Sequence, residues 1–571
     1  MSTKLDNQVL RILGESTGNV VAALEGLKLQ IAQCIPSTCS ATELKAALNV
    51  FLKRNPSLKN IQADVNPDQC HTIKKGYHLR AVDWFAIGFL IFFIIIAAAS
   101  TAYDLLCRMK EVKGSPILLS FSVYSNWLRL ISINSSSETM TAVNGIRFIS
   151  MGWVVLGHRY LVVSGLPSIN MVYLNDFKKD WSRLTIMNGT LSVDTFFLLS
   201  GLLTSYVFLK EMEKRGRFNI LLFYVHRYIR LTPALAVMIL MTVTLFNYGG
   251  EGPLWDSRHR TAREACEKNW WANLLYINNY YDSGTMCLGQ TWYLAVDMQL
   301  HFLSPLILIP LWKKPRLSQL LLIVLMLTGW GAAFTVPYVE EYWAGVWTGP
   351  VELRTISQQK NYYPTHTRFM PWVMGIALGY WIREAKKTKF RMTSFQIALG
   401  WILSTFLMLG SMHLAYPFQQ PEYVYNRLES SFYISLFRPA WSLGVAWIIF
   451  ASDLGYGGFP NIILSWRIFQ PLGRLSYGIY LTHVPVLSLL TAGIRTPVYL
   501  ADVNAIPDFM GDLLISIGLA IPLVLLFESP IILLEKRLLG PQDSSNTQPN
   551  HEGVRTLERQ LAELERQKGG V

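Results

Sequence analysis

The chain has 571 residues, of which 51% are hydrophobic, 13% aromatic and 16% charged, with a formal net charge of +13. Apolar runs of spanning length recur through it, which excludes an ordinary soluble domain and points to an all-α polytopic membrane protein. The basic excess sits mainly in short connections between these runs, so the positive-inside bias accounts for it and nucleic acid is not an expected partner.

Residues 1–83 read as a small extracytoplasmic helical domain, amphipathic up to Gln33 and then continuing CIPSTCSATELKAAL. Cys34, Cys39 and Cys70 make an odd number there, whereas secreted-side thiols normally pair. One partner is therefore expected in another chain or in an upstream segment. No basic n-region followed by an apolar h-region precedes them, so the expectation is a longer precursor or a first span that itself translocates the N-terminus. That span, 84–103, is WFAIGFLIFFIIIAAASTAY, twenty uncharged residues that match a hydrocarbon core of about 30 Å.

The connection 104–140 contains Cys107, expected to be a reduced structural thiol, and SPILLSFSVYSNWLRLISI, expected along the inner interface. Next comes TAVNGIRFISMGWVVLGHRYLVV, which places Arg147 and His158 in an apolar run. They lie about 20° apart around a helix and about 16 Å apart along it, on one face. Ionisable groups in a bilayer are costly and usually face a bundle interior or a wet cavity. The alternative is a snorkelling arginine and a structurally bonded histidine.

Further spans fall near 190–209, 219–247, 290–312, 317–338, 368–382, 393–413, 432–451, 473–490 and 510–533, which makes eleven crossings. With an extracytoplasmic N-terminus and a cytoplasmic C-terminus, the inner connections carry 17 Lys and Arg and the longer outer ones 11. This matches the positive-inside bias. It puts the sequon at Asn188 outside, where a glycan is expected, and the one at Asn134 inside, where none is. Cys266 and Cys287 share one outer loop and are expected to pair.

The polar residues of the spans form a series. Asp194 is at about the depth of His158, where a carboxylate would hold one ring nitrogen and leave the other as acceptor. Arg227 and Arg230 open the fourth span on one helical face at its inner end, suited to phosphate or to simple anchoring. Pro233 is expected to kink or open the helix beyond them. TWYLAVDMQLHFLSP brings in Asp297, Gln299 and His301, with Trp292 and Tyr293 as interfacial aromatics. Arg368 and Arg438 are candidate substrate contacts for which snorkelling is the simpler account. Ser476, Tyr480 and His483 add donors in the tenth span, and Glu528 lies near the inner side, where it could neutralise Arg147, Arg227 or Arg230. The tail 541–571 is polar, with a short charged helix at its end.

These motifs and their order resemble the membrane-bound acyltransferase-3 family over residues 140–540. The shared elements are the Arg147/His158 spacing, SVDTFFLLSG, the Arg227/Arg230 pair, WYLAVDMQLHFLSP, LGRLSYGIYLTH and FESP. CIPSTC before a helix-like run resembles the outer domain of the animal nose-resistant-to-fluoxetine branch, whose domains are richer in cysteine. Asp297 and Tyr293 depart from the family's pattern, which has glutamate and serine there.

The resemblance implies a ten-helix acyltransferase core, 141–540, preceded by one span and the domain 1–83. It also implies O-acyl transfer from cytosolic acyl-CoA, a co-substrate and not a bound cofactor, to a hydroxyl on a lipid, glycan or small amphipathic molecule. On this basis Arg147, Arg227 and Arg230 would bind CoA. His158 would act as general base, oriented by Asp194 or Asp297, with Tyr480 or Ser476 on the oxyanion and His483 and Glu528 in the pocket. The competing expectation is a transporter or binder of lipids and drug-like compounds on the same bundle. The membrane would be plasma membrane or endoplasmic reticulum. No metal-ligand spacing stands out, and no metal is expected.

Overall fold

The computed structural model describes residues 40–56, 62–65, 78–133, 140–345, 347–348 and 351–538. Cys34, Cys39, Cys70, Asn134 and the tail 541–571 lie outside these. Among the described residues the architecture is helical without a strand, apart from an isolated bridge between Ser168 and Val498.

A short helix, α1 (Ala41–Arg54), starts at a capping box in which Ser40 and Glu43 exchange bonds. The first span is α2 (Ala81–Met109). It is apolar all round and meets the bundle through Phe89 and Phe93, whose rings lie 6.1 and 4.9 Å from Phe527. Its two acids are consumed locally. Asp83 accepts from Arg80 and Tyr248, and Asp104 accepts from Ser122, Ser125 and Arg108. The second set ties α2 to α3 (Val123–Ile131), which buries Asn126, Leu128 and Leu130. Arg474 caps α3 by donating to the carbonyls of Arg129, Leu130 and Ser132, the groups a helix end leaves unpaired. Cys107 is a buried free thiol.

The bundle follows as α4 (Thr141–Ser164), α5 (Leu191–Arg215) and α6 (Ile220–Val243), which stays helical through Pro233. Then come α7 (Trp255–Leu274), α8 (Trp292–Leu303), α9 (Pro305–Lys313) and α10 (Pro315–Val339). The rest are α11 (Met370–Lys387), α12 (Ser394–His413), α13 (Arg427–Asp453), α14 (Phe469–Ala492), α15 (Asp502–Leu523) and α16 (Ser529–Leu538). Among the described residues ten helices are long and apolar enough to cross a membrane, against eleven expected. The remaining one is α11, whose last two turns carry Arg383, Glu384, Lys386 and Lys387.

Although charged at its end, α11 is deeply embedded. A Cβ on Gly375 would stand 2.1 Å from the Leu198 carbonyl oxygen, and one on Gly201 would stand 2.0 Å from that of Trp372. Only hydrogen fits at this crossing of α5 and α11, the close approach that small residues permit between membrane helices. Cys266 within α7 pairs with Cys287 before α8, as expected. Two five-residue π-helical turns, Gln358–Tyr362 and Val524–Glu528, interrupt the regular helices, and both border the same interior cavity.

Candidate active site

That cavity has a volume of about 1320 Å³ and runs beside α4. At the end where α4 begins it is bordered by Arg129, Arg474 and Leu533, and at the end where α4 finishes by Leu174, Lys178 and Arg354. Arg147, His158, Arg227, Arg230 and Asp297 line it, as do Ser476, Tyr480, His483 and Glu528. Of the residues singled out from sequence for catalysis, only Asp194 lies behind the wall.

His158 is held by its own helix. Its Nδ1 lies 2.9 Å from the Val154 carbonyl oxygen. A carbonyl only accepts, so Nδ1 carries the proton and Nε2 keeps its lone pair. His483 repeats the arrangement, with Nδ1 2.7 Å from the Tyr480 oxygen and a buried Nε2 that has no hydrogen-bond partner among the described residues. The two rings meet edge to face at 5.1 Å. The expected Asp–His contact is therefore corrected, because a backbone carbonyl fills that role.

Both aspartates are engaged elsewhere. Asp297 forms an ion pair with Arg227 and accepts from the Ser200 hydroxyl, which also draws Arg227 away from a purely CoA-binding role. Asp194 is fully buried, with Arg368 Nη2 3.4 Å from Oδ1. Arg368 is itself fully buried and Arg438 is 8% exposed, so neither snorkels. Each packs a guanidinium over the Tyr362 ring, at 4.7 and 5.7 Å. Positions near span ends suggest snorkelling. The π turn at Gln358–Tyr362 brings the chain back inside the bundle before α11 starts, which places Arg368 in the interior, whereas Arg438 lies near the middle of α13 on its buried side.

Other expectations need correction. The Tyr480 hydroxyl donates to the Gln290 carbonyl at 2.6 Å and that of Ser476 to Leu472 at 3.3 Å, so neither proton is poised for an oxyanion. Tyr293, expected at the interface, instead lines the cavity beside Tyr480, and its hydroxyl makes no hydrogen bond among the described residues. Trp292 is likewise buried. Glu528 forms no ion pair among the described residues, and its nearest charged influence is Arg230. Arg147 and Arg230 also lack ion pairs there. Asn188 is 1% exposed and donates its side-chain nitrogen to the Met412 carbonyl, so the atom a glycan would need is buried and occupied. Gln299 bridges Tyr276 and Asn279 and is structural.

Sequence reasoning passed over Arg159, which makes a buried two-pronged ion pair with Asp512. Its signal was a second charge in the apolar run of His158. Tyr362 carried no signal, because it reaches the cavity through loop geometry.

A model of the acyltransferase domain matches residues 140–527, most of the chain and nearly the whole bundle around the cavity. The chain belongs to the acyltransferase-3 family. It is thus a membrane acyltransferase by family, and the histidine and arginines above stand within the matched region. Nose resistant to fluoxetine protein 6 of Caenorhabditis elegans is 28% identical over 91% of this chain and 67% of its own length. Regulator of hypoxia-inducible factor 1 of the same organism is 22% identical over 62% of this chain and 72% of its own. Peptidoglycan O-acetyltransferase OatA of Listeria monocytogenes is 25% identical over 53% of this chain, and the match spans 46% of OatA. No solved structure matches.

Proposed function

We propose that the chain is an O-acyltransferase that takes an acyl group from acyl-CoA at the Arg147 end of the cavity and passes it to a hydroxyl entering from the Lys178 end. The observation that carries this is the placement of His158. Its Nε2 is available as a base on a cavity bordered by residues from both ends of α4. Arg147 and Arg230 lack carboxylate partners among the described residues, so they suit the phosphates of CoA. The acceptor hydroxyl gives its proton to His158 Nε2 as its oxygen attacks the thioester carbonyl. The thiolate of CoA leaves and takes up a proton, and His158 returns to the neutral state. Tyr293 has the unengaged hydroxyl that Tyr480 and Ser476 lack, and it is the oxyanion donor in this scheme.

In this reading the N-terminus is extracytoplasmic and the C-terminus cytoplasmic, and the protein resides in the plasma membrane or endoplasmic reticulum. The O-acetyl transfer named for OatA supports the reaction type. A cavity bordered at both ends also supports a second reading, passage of an amphipathic molecule through the bundle. The deciding experiment supplies radiolabelled acetyl-CoA or a long-chain acyl-CoA to purified protein in liposomes, with His158→Ala as the control. Label transferred only by the wild type is the expected result. Saturable lipid binding without turnover, equal in both proteins, would replace the enzyme with the carrier.

A further inference from the structure

The cavity is electrically lopsided. Among the described residues two acids line it, Asp297 and Glu528, and both belong to the half that holds Arg227 and Arg230. Among the described residues the opposite half is lined by Lys178, Arg354 and Arg438 and by no carboxylate. Behind Arg438, Arg368 and Asp194 form a pair, so the buried group of two guanidiniums and one carboxylate carries a net charge of +1. Arg438 is more than nine-tenths buried, and its Nε and Nη1 have no hydrogen-bond partner among the described residues. A buried guanidinium normally uses its donors on an acid or a carbonyl, because desolvating them unpaired is expensive. Here aromatic faces cover part of that cost, through Tyr362 and Phe437 at 5.7 and 5.1 Å. The donors themselves are unused.

The depth of this group matters. Trp153 of α4 and Trp441 of α13 touch, with ring centroids 5.2 Å apart. His158 is five residues beyond Trp153 and Arg438 three residues before Trp441, both towards the Lys178 end. At about 1.5 Å per residue the two side chains lie within about one helical turn in depth. An anion on Arg438 would therefore hold the rest of its molecule beside the base.

We infer that the Lys178 half of the cavity is an anion subsite in which Arg438, backed by Arg368, binds the carboxylate or phosphodiester of a monoanionic amphiphile. A single negative charge neutralises the cluster's +1. Identification of this amphiphile with the acyl acceptor rests on the acyl-transfer reading, whereas the subsite does not. Lys178 and Arg354 at the mouth supply the attraction that draws the anion in.

The test is equilibrium binding to the full chain in detergent, without acyl-CoA, of charge-matched probe pairs. A fluorescent fatty acid is compared with its methyl ester, and a fluorescent lysophosphatidylglycerol with the corresponding monoacylglycerol. Wild type should bind each anion at least about tenfold more tightly than its neutral partner, as one charge-assisted contact allows. Preference confined to one pair identifies the group as carboxylate or phosphodiester. Arg438→Gln should abolish the preference while leaving the neutral probes and CoA itself unaffected, and Arg438→Lys should restore part of it. Equal wild-type binding of anion and neutral probe overturns the inference whatever the variants do. So does a loss in Arg438→Gln that is the same for both members of a pair. His158→Ala should keep the preference. Anion preference without acyl transfer removes the enzyme reading alone, and transfer without anion preference removes the subsite alone.

Discussion

At the scale of single residues, the informative fact is that a main-chain oxygen sets the tautomer of His158. Neither aspartate is needed for that task, and this can be measured. Asp297→Asn leaves the partly buried Arg227 without its counter-charge, at a cost of about 1–3 kcal/mol. It should lower the thermal midpoint in detergent while the pH dependence of turnover keeps its shape. A drop in kcat of about 10⁴ with the midpoint unchanged is what a triad aspartate would give, and it would refute the assignment. Arg147 has the opposite signature. With no ion pair to lose among the described residues, Arg147→Ala should raise KM for acyl-CoA about tenfold with little change in unfolding. His158 and Arg147 were legible in the sequence because an ionisable group in an apolar run is costly enough to advertise itself. The partner of His158 was not, since a carbonyl has no letter of its own. Asp194 shows the same limit. Sequence supplies depth along a helix, but contact also requires the right azimuth and crossing, and these place Asp194 against Arg368.

At the scale of helices, the packing of α5 on α11 makes the sharpest prediction. Gly375→Ala drives a methyl group to 2.1 Å from a backbone oxygen that has no freedom to rotate away. The helices must separate, which should cost about 1–3 kcal/mol and lower the yield of folded protein. Gly152→Ala in α4 meets nothing within 4 Å and should be neutral in the same assay. The Cys266–Cys287 bond closes a segment with a sequence separation of 21. Cys266→Ser should cost about 3 kcal/mol, read as a lower thermal midpoint. Most spans were legible because their apolar length alone defines them. α11 was legible as the span 368–382, but its continuation into charged final turns and the glycines that make it part of the core were not. The re-entry through Gln358–Tyr362 had no signature, because loop paths are set by what they pack on.

At the scale of the whole molecule, the two ends of the cavity carry different chemistry and so impose a direction. CoA is large and polyanionic and does not cross a bilayer. In the proposed reaction its phosphates find Arg147 and Arg230 only if delivered to the side where α4 begins. Arg354 and Lys178 border the other mouth, and His158 lies between. In the proposed orientation the side that receives acyl-CoA is also the side of the C-terminus, and α16 supports this because it borders the cavity through Leu533 at the Arg147 end. Proteoliposomes sorted by an accessible C-terminal tag allow this to be tested. Acyl-CoA added on the tagged side, with acceptor on the other, should support transfer. The reversed arrangement should be silent although every component is present. Equal transfer from both sides would mean that both substrates share one mouth, and a single-sided pocket would then replace the through-running path.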